Sequence, residues 1–183
     1  ILFEKKVETK FFKKLLSIEK KNSMTTDQTL RFISLAFNTK KNYLFDLRMF
    51  NFSKKDKKKL LLLTNQEFKI DNKMKNNDIK RILYSIDKKL FIDLAVLSWV
   101  LSANKTQNKD WKSIISQISK LNSPIFPLKA ADLLSFGLKE GPIIGEIFSQ
   151  IEKEWIDSNF ALNKEELLQK SKAIIDTKSH NIS

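Results

Sequence analysis

The chain holds few of the residue types from which enzymes build a reactive centre. It has no cysteine, and its one histidine, His180, lies close to the C-terminal end. These absences exclude cysteine nucleophiles, thiolate metal sites and disulfide scaffolds, and they argue against a histidine-based triad or zinc site. No Asp-x-Asp pair occurs, and no glycine run precedes a Gly-Lys pair as a phosphate-binding loop requires. The sequence therefore predicts no catalytic residue in this chain.

Three tryptophans are the other side chains with an obvious capacity to bind a ligand. Trp99, Trp111 and Trp155 have rings that could stack on nucleic-acid bases, but each recurs in step with apolar neighbours. We therefore expect all three to pack in the core.

Basic side chains are the strongest indication of a binding partner. Lysine and arginine number 34 against 21 aspartates and glutamates, a formal charge of +13, and the isoelectric point is near 9.8. Such a surplus favours phosphate-bearing partners or anionic membrane surfaces. Nearly all of it is lysine, which lacks the planar fork that arginine offers to phosphates and guanine edges. Any contact with RNA is expected to follow phosphates and shape.

The densest basic cluster opens a predicted helix directly after Ser53. Cations at that end oppose the positive pole of the helix dipole, and a phosphate backbone lying across them would relieve the repulsion and release counterions. The alternative is an ordinary solvated face of a lysine-rich chain. The candidate phosphate-binding residues are Lys54, Lys55, Lys57, Lys58, Lys59, Lys80, Arg81, Lys88 and Lys89, with Lys73 and Lys75 near the second group.

The elements that must position these side chains are predicted to be helices. All three glycines and all three prolines fall between residues 124 and 145, and elsewhere apolar residues recur every three or four positions. We expect an all-α, multi-helix array of about eight helices. Thr26 and Asp27 are predicted to offer an N-cap for the second helix, and Ser53 is the predicted N-cap of a later one. The segment Leu90–Ser102, apolar nearly all round, is expected to be the most buried helix.

A segment punctuated by glycine and proline predicts a tight helix-turn-helix near the C-terminus. Asp132 lies in the first turn of a short helix, and Gly137 follows where a left-handed residue ends it. Gly141 and Pro142 then open a longer helix, since proline suits the first helical position. Gly145 lies one turn inside it, which predicts that the short helix approaches closely there.

Two interpretations of this motif remain open. The glycines let two helices pack together, or the backbone N–H groups at the start of the second helix receive a phosphate, as helix N-termini do. Proline offers no N–H, and Glu140 and Glu146 lie nearby, which argues against the phosphate.

Several short motifs recur in one order from about Thr26 to Leu168. They are Leu30–Ala36, Asp46–Ser53, Asp78–Tyr84 with Phe91–Trp99, and Asp132-Leu133-Leu134, Gly137, Gly141-Pro142, Ile144-Gly145 and Glu152 to Ile156. This pattern resembles the C-terminal half of bacterial tRNA nucleotidyltransferases, the CCA-adding enzymes and related poly(A) polymerases, in part in a form common among alphaproteobacterial members. Ala130 and Asp87 depart from it, because they stand where the family usually has glycine.

The resemblance implies that this chain is the helical C-terminal part, body and tail, of a CCA-adding enzyme. Catalysis in that family belongs to an N-terminal head with an Asp-x-Asp site, so Mg²⁺, CTP and ATP are implied for the head and no cofactor is expected here. The body and tail would hold the acceptor and upper-arm backbone of tRNA, with the head in cis or in trans. The expected regions are a neck and body over 1–105, a tail over 106–175 and a frayed end over 176–183.

Two other hypotheses remain. The chain acts alone as an all-helical RNA-binding or protein-interaction module without catalytic activity, or its first predicted helix, Leu2–Lys20, lies on anionic lipid. We expect the apolar face of that helix to pack on the missing head instead, so a membrane partner is not favoured. The first residue, Ile1, suggests a piece of a longer protein, and the lack of cysteine suggests a cytoplasmic setting.

Overall fold

A computed structural model describes residues 9–36, 51–65, 68–102, 108–138 and 141–180, without the side chains of 178–180. The regular elements in these ranges are nine α-helices, so the all-α prediction is confirmed. The predicted helix Asn42–Phe50 and the start of the predicted helix Leu2–Lys20 lie outside the described residues. The helices are α1 (Lys10–Lys21), α2 (Gln28–Ala36), α3 (Lys54–Thr64), α4 (Asn76–Ser85), α5 (Lys88–Leu101), α6 (Asn108–Lys120), α7 (Ala130–Leu134), α8 (Pro142–Asp157) and α9 (Lys164–His180).

Short polar side chains fix where three of these helices begin. Asp27, Ser53 and Asp87 each accept the backbone N–H three residues later, at 3.0, 3.1 and 2.9 Å respectively. Each such cap stabilises a helix by about 1 kcal/mol. The predicted caps of α2 and α3 are confirmed. Asp87 is the cap of α5.

Helix α5 is the most buried helix, as predicted. Nine of its side chains are buried, and Phe91, Ala95 and Val100 have no exposed surface at all. One side of the helix packs with α1, α2 and α3, and the other packs with α4 and α6. The helices that carry the basic clusters are therefore anchored on one apolar axis.

The chain divides into two compact units, residues 1–121 and 122–183. Helix α6 belongs to the first unit, because Trp111, Ile114 and Ile118 are buried against its other helices. The sequence interpretation had placed this helix with the tail region that starts at residue 106.

The second unit is built around Trp155, whose side chain is 3% exposed. The ring packs against Phe126 and Phe160, with centroids 5.2 and 4.9 Å away. Helix α8 contributes Trp155, and α9 packs on α8. Helix α9 runs from Lys164 to His180, so it continues past Ile175, where the sequence interpretation ends it. The expectation that the tryptophans are core residues is confirmed, because Trp99 and Trp111 are buried as well.

The glycines of the helix-turn-helix differ in what they do. Gly137 has φ +81°, in the left-handed region that favours glycine, and it follows α7 as predicted. Gly141 is extended and starts α8 ahead of Pro142. The expected close approach at Gly145 is wrong. Gly145 is exposed, and a Cβ placed there would meet nothing within 4 Å.

We therefore expect opposite effects from alanine at two of these glycines. Gly145→Ala should raise the free energy of unfolding by about 0.5–1 kcal/mol, because alanine favours the helix and fits the open space. Gly137→Ala should lower it by about 1–2 kcal/mol, because its positive φ is strained for alanine. Urea denaturation of both variants checks this pair, and a loss of stability in Gly145→Ala would contradict the open packing described for α8.

Candidate nucleic-acid interface

Charge is divided unequally between the two units. Residues 1–121 carry 27 basic against 12 acidic side chains, a formal charge of +15. Residues 122–183 carry 7 basic against 9 acidic side chains, a formal charge of −2. The entire positive surplus therefore belongs to the first unit, which also contains all the candidate phosphate-binding residues.

The basic cluster of α3 faces away from the core. Leu60 and Leu63 are buried on the inner side of the helix, and Lys54, Lys55 and Lys58 are exposed. The spacing explains this, since residues three and four apart share one face of a helix. None of these three lysines has an acidic partner among the described residues. We call these three side chains the α3 lysine surface; Lys57 lies beside it, half-buried.

Lys59 has a different environment from its neighbours. Its ammonium group lies 2.6 Å from Asp27 Oδ2 and 2.6 Å from Asp93 Oδ2. All three side chains are less than one-fifth exposed. One ammonium therefore joins the start of α2, the middle of α3 and the core helix α5. We exclude Lys59 from the candidate surface, because its charge is already matched inside the protein.

The pKa values of this ion-pair triad are shifted in different directions. Burial raises the pKa of Asp93 and outweighs the attraction of the Lys59 ammonium. Burial also acts to raise the pKa of Asp27, but the hydrogen bonds from Lys59 and the Leu30 N–H prevail and lower it. For Lys59, burial acts to lower the pKa, and its two carboxylate partners overcome that and raise it. Within the triad, Asp93 is therefore the group whose charged form burial destabilises on balance.

The remaining candidates lie in two further places in the first unit. Lys80 is half-buried and Arg81 is exposed on α4, where Arg81 lines an open groove of about 450 Å³ together with Lys69 and Lys73. Asp71 and Asp78 line the same groove and reduce its positive charge.

On α5, Lys89 is exposed, whereas Lys88 donates to the carbonyl oxygen of Ser119 at 3.2 Å. Lys88 therefore also ties α5 to the end of α6.

Arg31, to which the sequence analysis assigns no role, stabilises the fold. Arg31 donates from Nε and Nη2 to Glu19 Oε2, at 3.1 and 2.7 Å, and so joins α1 to α2. Glu19 is 7% exposed, and a buried carboxylate requires such a partner. Arginine suits this role because its planar group holds two donors in fixed geometry.

Sequence reasoning missed the ion pairs that Asp27 and Asp93 make with Lys59. A signal existed for Asp93, because it interrupts the apolar run of Leu90–Leu101, and a carboxylate on the most buried helix needs a cation. Nothing in the sequence indicates which of the lysines supplies that cation, since Lys59 lies 34 positions away.

The described residues contain no group of three or more acidic or histidine side chains placed to hold a metal ion. Within the same ranges, no helix is both long enough and apolar enough to cross a membrane. The exposed lysines of the first unit can offer a cationic surface to an anion.

No protein-family model matches this chain, and no curated protein matches it at a significant level.

The contrast between Lys59 and Lys58 predicts very different costs for neighbouring substitutions. Lys59→Met should lower the free energy of unfolding by about 2–3 kcal/mol, because it leaves two partly buried carboxylates without their cation. Lys58→Met, the matched control on the exposed face, should change it by at most about 0.5 kcal/mol. Chemical denaturation measures both, and equal losses of stability would show that the triad does not stabilise the fold.

The opposed pKa shifts of the two carboxylates predict opposite pH dependences. The lowered pKa of Asp27 gives stability that is present above the unfolded pKa of about 3.9 and is lost as pH falls through the folded pKa. The raised pKa of Asp93 gives stability that is present below about 3.9 and is lost as pH rises through the folded pKa.

As the pH falls from 7 to 3, the difference in folding stability between wild type and Asp27→Asn should therefore become smaller. The difference in folding stability between wild type and Asp93→Asn should become larger as the pH falls over the same range. Thermal melting across this range measures both, and parallel pH profiles would contradict the assigned directions.

Proposed function

We propose that this chain is an RNA-binding region whose first unit, residues 1–121, holds a folded RNA by its phosphates. In its specific form, the proposal is that these helices are the tRNA-holding part of a CCA-adding enzyme of the tRNA nucleotidyltransferase family. The nucleotidyltransferase head, with Mg²⁺, CTP and ATP, would belong to other polypeptide in cis or in trans. The setting proposed for the chain is cytoplasmic.

The observation that carries this proposal is the +15 charge of the first unit beside the −2 of the second. A lysine-rich composition would by itself place excess lysine throughout the chain. Here the surplus coincides with the helices whose lysines extend outward without acidic partners, above all α3. Unpaired cations on one surface are the electrostatic pattern expected of phosphate binding.

The α3 lysine surface gives this binding a physical basis. Ser53 and Asp56 stabilise the start of the helix, because Ser53 accepts the Asp56 N–H and donates to its carboxylate at 2.6 Å. The lysines of the first two turns still repel one another and oppose the dipole. Phosphates of a bound backbone would relieve that repulsion, and the released counterions would make affinity strongly salt-dependent.

Recognition would be by shape and backbone rather than by base edges. The described tryptophans are all buried, so they offer no stacking platform, and lysine is a point charge without bidentate geometry. Arg31, one of the three arginines in the chain, is held by Glu19. A structured RNA such as the upper half of tRNA suits these properties better than a single strand.

The alternative function is a stand-alone helical module that binds RNA or another protein and cooperates with no head. The open reading frame upstream of Ile1 distinguishes the two hypotheses. A nucleotidyltransferase domain in the same frame supports the specific proposal, and a stop codon supports the module.

Substitutions on the α3 lysine surface should change the salt dependence of tRNA binding. Replacement of Lys54, Lys55 and Lys58 by glutamine should reduce the slope of log affinity against log salt by about 0.7–0.9 for each phosphate that the surface no longer neutralises. Fluorescence anisotropy with a labelled tRNA over a range of KCl concentrations measures this slope.

The matched control removes the same charge from exposed lysines of the second unit, Lys129, Lys153 and Lys172. The control should leave the slope unchanged. An equal reduction in both variants would show that net charge alone governs binding and would defeat the proposed surface. Weaker binding of tRNA than of a single-stranded RNA of equal length would contradict recognition by shape.

A further inference from the structure

Two buried side chains in the first unit have N–H donors without an acceptor. Asn72 is 9% exposed and Trp111 is 4% exposed. Neither Asn72 Nδ2 nor Trp111 Nε1 donates a hydrogen bond within the described part of the chain. Trp99, by contrast, donates its indole N–H to Asn108 Oδ1 at 2.9 Å. A buried donor normally has a partner, so two orphaned donors need an explanation.

The two donors belong to one groove. Asn72 lies in the turn between α3 and α4, and Trp111 lies in the second turn of α6. Together with the end of α5, they line an open groove of about 460 Å³ whose surface is mainly polar. Chain segments far apart in the sequence thus contribute both side chains with unpaired N–H groups to the lining of one groove.

The charges around this groove favour an anionic acceptor over a neutral one. Lys73 lines the groove. Lys14 reaches its Ser102 edge, where the ammonium donates to the Ser102 carbonyl at 2.7 Å. Asp71 is the one carboxylate in the lining, and its Oδ1 already accepts the Lys73 backbone N–H at 2.8 Å. Lys73 in the lining, Lys14 beside it and two side chains with free donors therefore accompany one carboxylate that is already engaged.

We propose that this groove is an oxyanion-binding site that takes a phosphate group, held by the N–H donors of Asn72 and Trp111. The phosphate is either free or part of an RNA backbone. The site is separate from the α3 lysine surface. The sequence analysis pointed to Lys73 beside the candidate phosphate-binding residues, but not to Asn72 or to the indole N–H of Trp111 as donors.

Binding at this site would involve a small local change. Both donor nitrogens are covered from bulk solvent, so an oxyanion reaches them only when the Asn72 amide turns or the groove widens. Indole N–H protons respond strongly to a new hydrogen bond, and Trp111 is therefore a built-in reporter.

The experiment is a titration of the ¹⁵N-labelled chain with inorganic phosphate at constant ionic strength, with chloride as the balancing ion. The indole N–H resonance of Trp111, identified with Trp111→Phe, should shift downfield and saturate. That of Trp155, in the other unit, should not move. Asn72→Asp should weaken phosphate binding by about tenfold or more, since it replaces a donor by a negative charge.

Lys73→Gln provides a second variant that keeps the Asn72 side chain, and it should weaken binding without loss of the fold. The proposal is overturned if the Trp111 resonance does not saturate, or if chloride alone produces the same shift. It is also overturned if neither variant changes the phosphate affinity.

A short RNA duplex identifies the source of the phosphate. A Trp111 shift with duplex that Asn72→Asp abolishes assigns the site to the RNA backbone, and a shift with inorganic phosphate alone assigns it to a free anion. Because the reporter is Trp111, these results are independent of the salt slope measured at α3.

Discussion

The interaction on which the first unit depends is the ammonium of Lys59 held between Asp27 and Asp93. It joins three helices, and it explains how an aspartate is tolerated on the most buried of them. Leu60 and Leu63 are buried on the inner side of α3, and Lys54, Lys55 and Lys58 are exposed on the other side. A basic run in the sequence thus divides into one structural lysine and an exposed surface.

The sequence was sufficient to predict the helices, but it was not sufficient to predict which charged side chains pair with each other. Apolar spacing, together with Asp27 and Ser53 as caps, predicted where α2 and α3 begin, because both signals are local. Lys59 looks identical to its neighbours in sequence, and only the packing of α3 on α2 and α5 selects it. Asn72 and Trp111 are a similar case, since the groove they share exists only after folding.

The helix-turn-helix shows why a correct motif can still be misinterpreted. Gly137 has the left-handed conformation that its position predicted. Gly145 was expected to mark a close contact, but its helix face is open to solvent. A glycine inside a helix makes the helix less stable than alanine would. The spacing in the sequence does not say whether such a glycine is there for close packing, for a ligand, or is simply tolerated. The start of α8 lies in the second unit, whose formal charge of −2 does not favour phosphate binding there.

The unequal charge of the two units has a consequence for the approach to a partner. The field of a polyanion attracts a unit of +15 and weakly repels a unit of −2. The attraction acts on the basic unit at distances comparable to the Debye length, about 8–10 Å at physiological salt, before any side chain touches the polyanion. A polyanion would therefore meet the basic unit more often than random collision allows.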